Sequence, residues 1–134
     1  MNRLRGQCGE RGAVAVEFAL ILPILLVLVL GIFEFGRLYN LQISVTNAAR
    51  EGARVMAITK DPAAARAAAI EAAPSVNNPE IQAGDITFSP AACANGAQMK
   101  VTITYSVSFM TGYFDGLIPP LAPLQGKGAM RCGG

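Results

Sequence analysis

Glu17 is the side chain whose position asks most of chemistry. It is the one charge in the twenty-one residues from Ala13 to Phe33, AVAVEFALILPILLVLVLGIF. A carboxylate inside an apolar helix costs about 2.5–3.5 kcal/mol at the centre of a bilayer and less near its edge. An isolated one sits at the interface or holds a proton. The small residues just before it, Gly12, Ala13 and Ala15, point to a further use. A cut after Gly12 gives Ala13 a free amine, and Glu17 then lies four residues on, on the same helix face. An amine with a counter-ion in reach suits a helix that leaves the membrane and packs against others like it.

Other chemistry is thinly supplied. The chain has no histidine, which removes Ser-His and Cys-His nucleophiles. Its carboxylates are scattered without a recognisable pair, and Gly126-Lys127-Gly128 lacks the rest of a phosphate-binding loop. The three cysteines, Cys8, Cys93 and Cys132, do not have metal-ligand spacing. These features predict neither an enzyme nor a bound metal or cofactor. A net charge of +2, without a basic run interleaved with aromatics, gives no support to nucleic acid as a partner.

The element that positions Glu17 is an apolar helix. Twenty-one residues of α-helix extend about 31 Å, enough to cross a hydrocarbon core. A cleaved secretory signal is the competing reading, but the apolar run is too long and leads into Glu34-Phe35-Gly36-Arg37 rather than a small-x-small site. Arg3, Arg5 and Arg11 precede the run against the single acid Glu10, while Glu34 and Arg37 cancel after it. The positive-inside bias then places the N-terminus in the cytoplasm and the bulk of the chain outside.

Helical periodicity continues past the apolar run. Leu38, Leu41, Val45, Ala48, Gly52 and Val55 form one stripe, and Arg37, Asn40, Ser44, Asn47, Glu51 and Arg54 a polar one beside it. One helix from about Ala13 to Ile58 is expected, with Pro23, Gly31 and Gly36 as points of flexure. The later members of the apolar stripe are small and admit another backbone closely. Arg50, Glu51 and Arg54 read either as a solvated face or as a polar seam for neighbouring subunits.

Beyond Thr59-Lys60 the period changes. Asp61-Pro62 marks a helix start, Ala63 to Glu71 is rich in helix formers, and Pro74 ends the run. Asp85–Ser89 is a short strand candidate. Met99 to Phe109 alternates apolar with polar, as a half-buried strand does. A weaker strand runs from about Leu124 to Arg131, interrupted by Gly126 and Gly128. The expected fold class is α+β: a long N-terminal transmembrane helix continuing as a stalk, and a small three-stranded antiparallel sheet domain. The division is 1–12 leader, 13–58 transmembrane helix and stalk, and 59–134 extracytoplasmic domain.

The run Arg11-Gly12-Ala13-Val14-Ala15-Val16-Glu17-Phe18 resembles a type IVb prepilin processing site, with glycine before the cut and glutamate fifth after it. With GAVAVEFALILPILLVLVLGIFEFGRLYN and NAAREGARVMA, about the first 57 residues resemble the TadE-like family of tight-adherence (Flp) pilus pseudopilins. That resemblance implies a minor pilin or pseudopilin, cut between Gly12 and Ala13 by a prepilin peptidase. Its expected partners are the inner membrane, other pilins and the pilus assembly platform. Phe18 departs from the tyrosine frequent at that position. The alternative is an uncleaved single-pass envelope anchor or binding protein of the same system.

Two further expectations follow from the topology. Cys8 precedes the helix and faces the reducing side, whereas Cys93 and Cys132 lie beyond it, where disulfides persist. One bridge between them is expected, the alternative being two buried thiols. The connection Met110–Leu124, MTGYFDGLIPPLAPL, is too apolar for an ordinary loop. Tyr113 and Ile118 within it either close the core of their own sheet or dock another pilin.

Overall fold

A computed structural model describes residues 7–76, 79–109, 112 and 122–133. Two compact units emerge, Met1–Gly36 and Arg37–Gly134. A single helix, α1 (Gln7–Thr59), begins in the first and supplies the opening of the second, with Pro23 accommodated inside it.

Among the described residues of the first unit, most apolar side chains have little protein cover. Val14, Val16, Phe18, Leu20, Ile24 and Leu28 are each more than half exposed. The helix is long and apolar enough to cross a membrane. Water is a poor solvent for such a surface, whereas an acyl-chain environment satisfies it, because every backbone bond is made within the helix.

The second unit is a two-layer α+β structure. Leu41, Val45, Ala48, Ala49, Ala53, Met56 and Ala57 recur at helical spacing along α1 and are buried. Lys60 stops α1: its φ of 56° is left-handed, and its N–H donates to the Met56 carbonyl at 3.0 Å. Helix α2 (Pro62–Glu71) then starts where the sequence places it. The Asp61 side chain accepts from the Ala63 N–H at 2.9 Å, and proline occupies the first turn, where its missing donor costs nothing.

Strands β1 (Ile86–Ser89), β2 (Gln98–Tyr105) and β3 (Leu124–Arg131) form an antiparallel sheet in the order β1-β2-β3. Registration aligns Phe88, Val101 and Gly128 in one row and Ile86, Ile103 and Gly126 in the next. Both rows face the helices. Met99, Val101, Ile103 and Ile86 are essentially inaccessible there, together with Val45 and Met56 of α1. β3 lies over α1, while Arg66 of α2 stacks on Phe88 of β1, 5.0 Å from the ring centroid.

The expected α+β class with a long N-terminal helix and a three-stranded antiparallel sheet is the observed one. Three details differ. β2 ends at Tyr105 rather than Phe109, because β1 and β3 supply pairing partners only for Gln98 to Tyr105. Past that point Arg37 Nη1 donates to the Ser108 carbonyl at 3.1 Å. Asp85 is not in β1. Its carboxylate instead accepts from the Gln82 N–H at 2.8 Å and closes a turn of 3-10 helix, Ala83–Asp85. Finally, the part of α1 read as a stalk, from Arg37 onward, is one layer of the compact unit.

Candidate functional site

Two stretches of α1 carry the residues singled out in the sequence. The first is the segment around Gly12. Gly12, Ala13 and Glu17 are all helical and exposed, and a Cβ added to Gly12 meets nothing within 4 Å. Ala13 and Glu17 are four residues apart on this helix and so share a face.

The second stretch is AAREGAR, Ala48 to Arg54, which divides cleanly between two faces. Ala48, Ala49, Gly52 and Ala53 are buried. Their small size admits two close neighbours. A Cβ on Gly52 meets Ala69 Cβ at 3.1 Å and the Ala65 carbonyl oxygen at 3.4 Å, so α2 crosses α1 there with no room to spare. The other neighbour is the backbone of β3. A Cβ on Gly126 collides with the carbonyl of Val45, and one on Gly128 with the carbonyl of Ala49. Glycines two apart in a strand point the same way, and carbonyls four apart on a helix do too. The two spacings mesh, so β3 rests on the helix backbone itself.

The outward face carries the charges. Arg54 grips Glu51 with two hydrogen bonds, Nε to Oε2 at 3.0 Å and Nη2 to Oε1 at 2.6 Å. The bond from Arg54 holds the Glu51 carboxyl below its ordinary value, and the same bond raises Arg54. Arg50 is exposed beside them. More than two turns toward the N-terminus of α1, Gln42 Nε2 donates to the Gln125 carbonyl at 3.0 Å and to Thr46 Oγ1 at 3.4 Å, occupying an acceptor on β3.

At the far end of the sheet Cys93 and Cys132 are joined in a disulfide, with their Cα atoms 5.7 Å apart. The bond sits in a small backbone ladder: Gly96 N–H donates to the Cys132 carbonyl and Cys132 N–H to the Ala97 carbonyl, both at 2.9 Å. Tyr113 and Ile118 lie outside the described residues. Sequence reasoning missed the seat of β3 on α1, although the signal was present: a Gly-x-Gly at strand spacing matched to small residues at helix spacing. It also missed the Arg66–Phe88 stack and the hydrogen bond from the Tyr105 hydroxyl to the Pro79 carbonyl at 2.9 Å, neither of which has a local sequence signature.

Neither a curated protein nor a solved structure matches the chain. The family model described as TadE-like protein matches residues 12–54, about a third of the chain, so this N-terminal stretch, which contains Gly12, Glu17 and AAREGAR, is similar to that family.

Proposed function

We propose that the protein is a minor pilin or pseudopilin of a tight-adherence pilus. In this reading a prepilin peptidase cleaves it after Gly12, and it is packed through its N-terminal helix during assembly. The observation that carries the reading is a coincidence within one segment: the TadE-like match begins at Gly12 and runs first through the part of α1, Val14 to Phe33, whose apolar side chains are mostly exposed. The first unit would lie in the inner membrane with its N-terminus cytoplasmic, and the second on the periplasmic or extracellular side.

Physical chemistry supplies the mechanism. In the bilayer, lipid covers the helix from Val14 to Phe33, and no hydrophobic force drives helices together. Extraction by the assembly platform exposes that surface, and only the helices of other pilins can cover it again. Cleavage creates the Ala13 amine at the membrane edge, and the Glu17 carboxylate of the same or a neighbouring helix compensates it. The pair then gives lateral packing a register. Glu51 and Arg54 are occupied with one another, which supports Arg50 as the outward group most available to a neighbouring subunit.

The test is intact-mass analysis of protein from the native host, beside a Gly12→Phe variant. The expected mature chain begins at Ala13, and the variant accumulates at full length in the membrane. Met1 retained in protein that still supports pili would refute cleavage and leave the uncleaved anchor in its place.

A further inference from the structure

One face of the sheet is packed on the helices, and on the other the described residues Thr87, Lys100, Lys127, Ala129 and Arg131 stand open to solvent. Lys100 of β2 stands directly opposite Ala129 of β3, so its diagonal neighbours are Lys127 and Arg131, two positions to either side. Such diagonals are roughly 7–8 Å apart. All three cations are exposed, and β1, β2 and β3, the strands among the described residues, carry no acidic residue.

Charge of the opposite sign is gathered elsewhere in the same unit. Between Ala67 and Met99 stand Glu71, Glu80 and Asp85 with no lysine or arginine among them. This stretch leads into β1, at the opposite edge of the sheet from β3. Burial of Val76 and Ile81 and the Tyr105–Pro79 hydrogen bond hold it on the core. The Asp85 carboxylate is engaged by the Gln82 N–H, whereas Glu71 and Glu80 are exposed.

We propose that the open sheet face, through Lys100, Lys127 and Arg131, docks the acidic margin of a second copy of this chain, through Glu71 and Glu80. The second copy is the occupant because its own surface provides the complementary charge. The cationic face and the acidic margin are different places on the unit. Contact between them is therefore heterologous, and each copy added leaves one of each free for the next. This contact rests on the assembly reading above and gives it a second interface, outside the helix. Exposed charges of this kind set register, encounter rate and salt sensitivity more than affinity.

The experiment uses the full-length chain in mild detergent, with self-association followed by sedimentation equilibrium at low and high salt. Variant one is Lys100→Glu with Lys127→Glu; variant two is Glu71→Lys with Glu80→Lys. Each alone is expected to associate roughly tenfold more weakly than wild type. An equimolar mixture restores association, because each reversed surface finds its complement on the other chain. Wild-type association should also weaken as salt rises. A mixture no better than its components overturns the proposal. So does loss in the first variant with none in the second, which would place the cationic face against a different anionic surface of the second copy. Lys100→Gln with Lys127→Gln, and a melt of every variant, separate lost contact from lost folding. If the variants associate like wild type while the chain from cells begins at Ala13, this contact falls and the assembly reading stands; if the variants lose association and the mixture regains it while Met1 is retained, the contact stands and the cleavage reading falls.

Discussion

Gly128→Ala tests the seat of β3 on the helix. The added methyl collides with the Ala49 carbonyl and comes within 2.7 Å of Arg50 Cα. Both are backbone atoms of α1, so no side chain can rotate aside, and either the strand or the helix must move. Overpacking of this kind costs about 1–3 kcal/mol, and a backbone collision belongs at the upper end. Against it, alanine narrows the unfolded ensemble, a gain of about 0.4–1 kcal/mol where the folded conformation tolerates it. The collision wins, leaving a net loss of about 2 kcal/mol. For a unit of this size each kcal/mol shifts the melting temperature by about 4–8 °C, so a drop of about 8–16 °C is expected. Differential scanning calorimetry of the full chain in detergent measures it. Gly84→Ala is the control, because its added methyl meets nothing within 4 Å. It should melt at or slightly above the wild-type temperature. Adding Ala49→Gly to Gly128→Ala should not rescue it, since the obstruction is a carbonyl and not the alanine side chain. A Gly128→Ala melt indistinguishable from that of the Gly84→Ala control would refute the interlocked geometry.

Two further perturbations probe the same unit. Loss of the Cys93–Cys132 bridge, which closes a separation of 39 residues, should cost about 4 kcal/mol on the chain-entropy model. A Cys93→Ser, Cys132→Ser double variant should show it in the melt, and alkylation of unreduced wild type should label only Cys8, in the unprocessed chain. Burial raises the Tyr105 hydroxyl above its ordinary value, so the folded chain holds that proton more tightly than the unfolded one. Its contribution is complete below the unfolded value of about 10 and is lost as pH climbs through the folded value. Tyr105→Phe should cost about 1 kcal/mol at neutral pH through loss of the bond to Pro79, and denaturant titrations should show that difference shrinking in alkali.

What the sequence disclosed was what local rules decide. Asp61-Pro62 marks the start of α2 because a capping carboxylate and a proline act on the nearest backbone groups. The alternation from Met99 onward marks β2 because neighbouring residues face opposite sides of a sheet. Local rules do not tell where a strand loses its neighbours. The alternation runs on to Phe109 while pairing stops at Tyr105, since that limit belongs to β1 and β3. Gly126 and Gly128 read as interruptions for the same reason. A strand glycine lowers β propensity by itself, and its use appears only when a helix backbone is set against it. Within the polar stripe of α1 Ser44 is buried, so the covered arc of the helix is wider than its apolar residues alone indicate.

The division of AAREGAR between two faces governs how assembly can be tested in this chain. Ala49 and Gly52 fit β3 and α2 of their own unit, and Gly52 already stands at contact distance from Ala69 and Ala65. Enlarging either residue loosens the fold whether or not the chain ever meets another pilin. Loss of pili in such a variant would therefore say nothing about subunit contacts. Arg50 and Arg54 point away from that core, and replacing them leaves its packing intact. Removing Arg54 also leaves the Glu51 carboxylate uncompensated, so the helix face loses a cation and gains an unpaired anion at once. Arg50→Ala is the cleaner probe. It takes one outward cation from the segment, disturbs no hydrogen bond that holds the unit together, and should leave the melting temperature unchanged. A pilus defect in that variant, in protein that still melts normally, would place a neighbouring subunit against this turn of the helix.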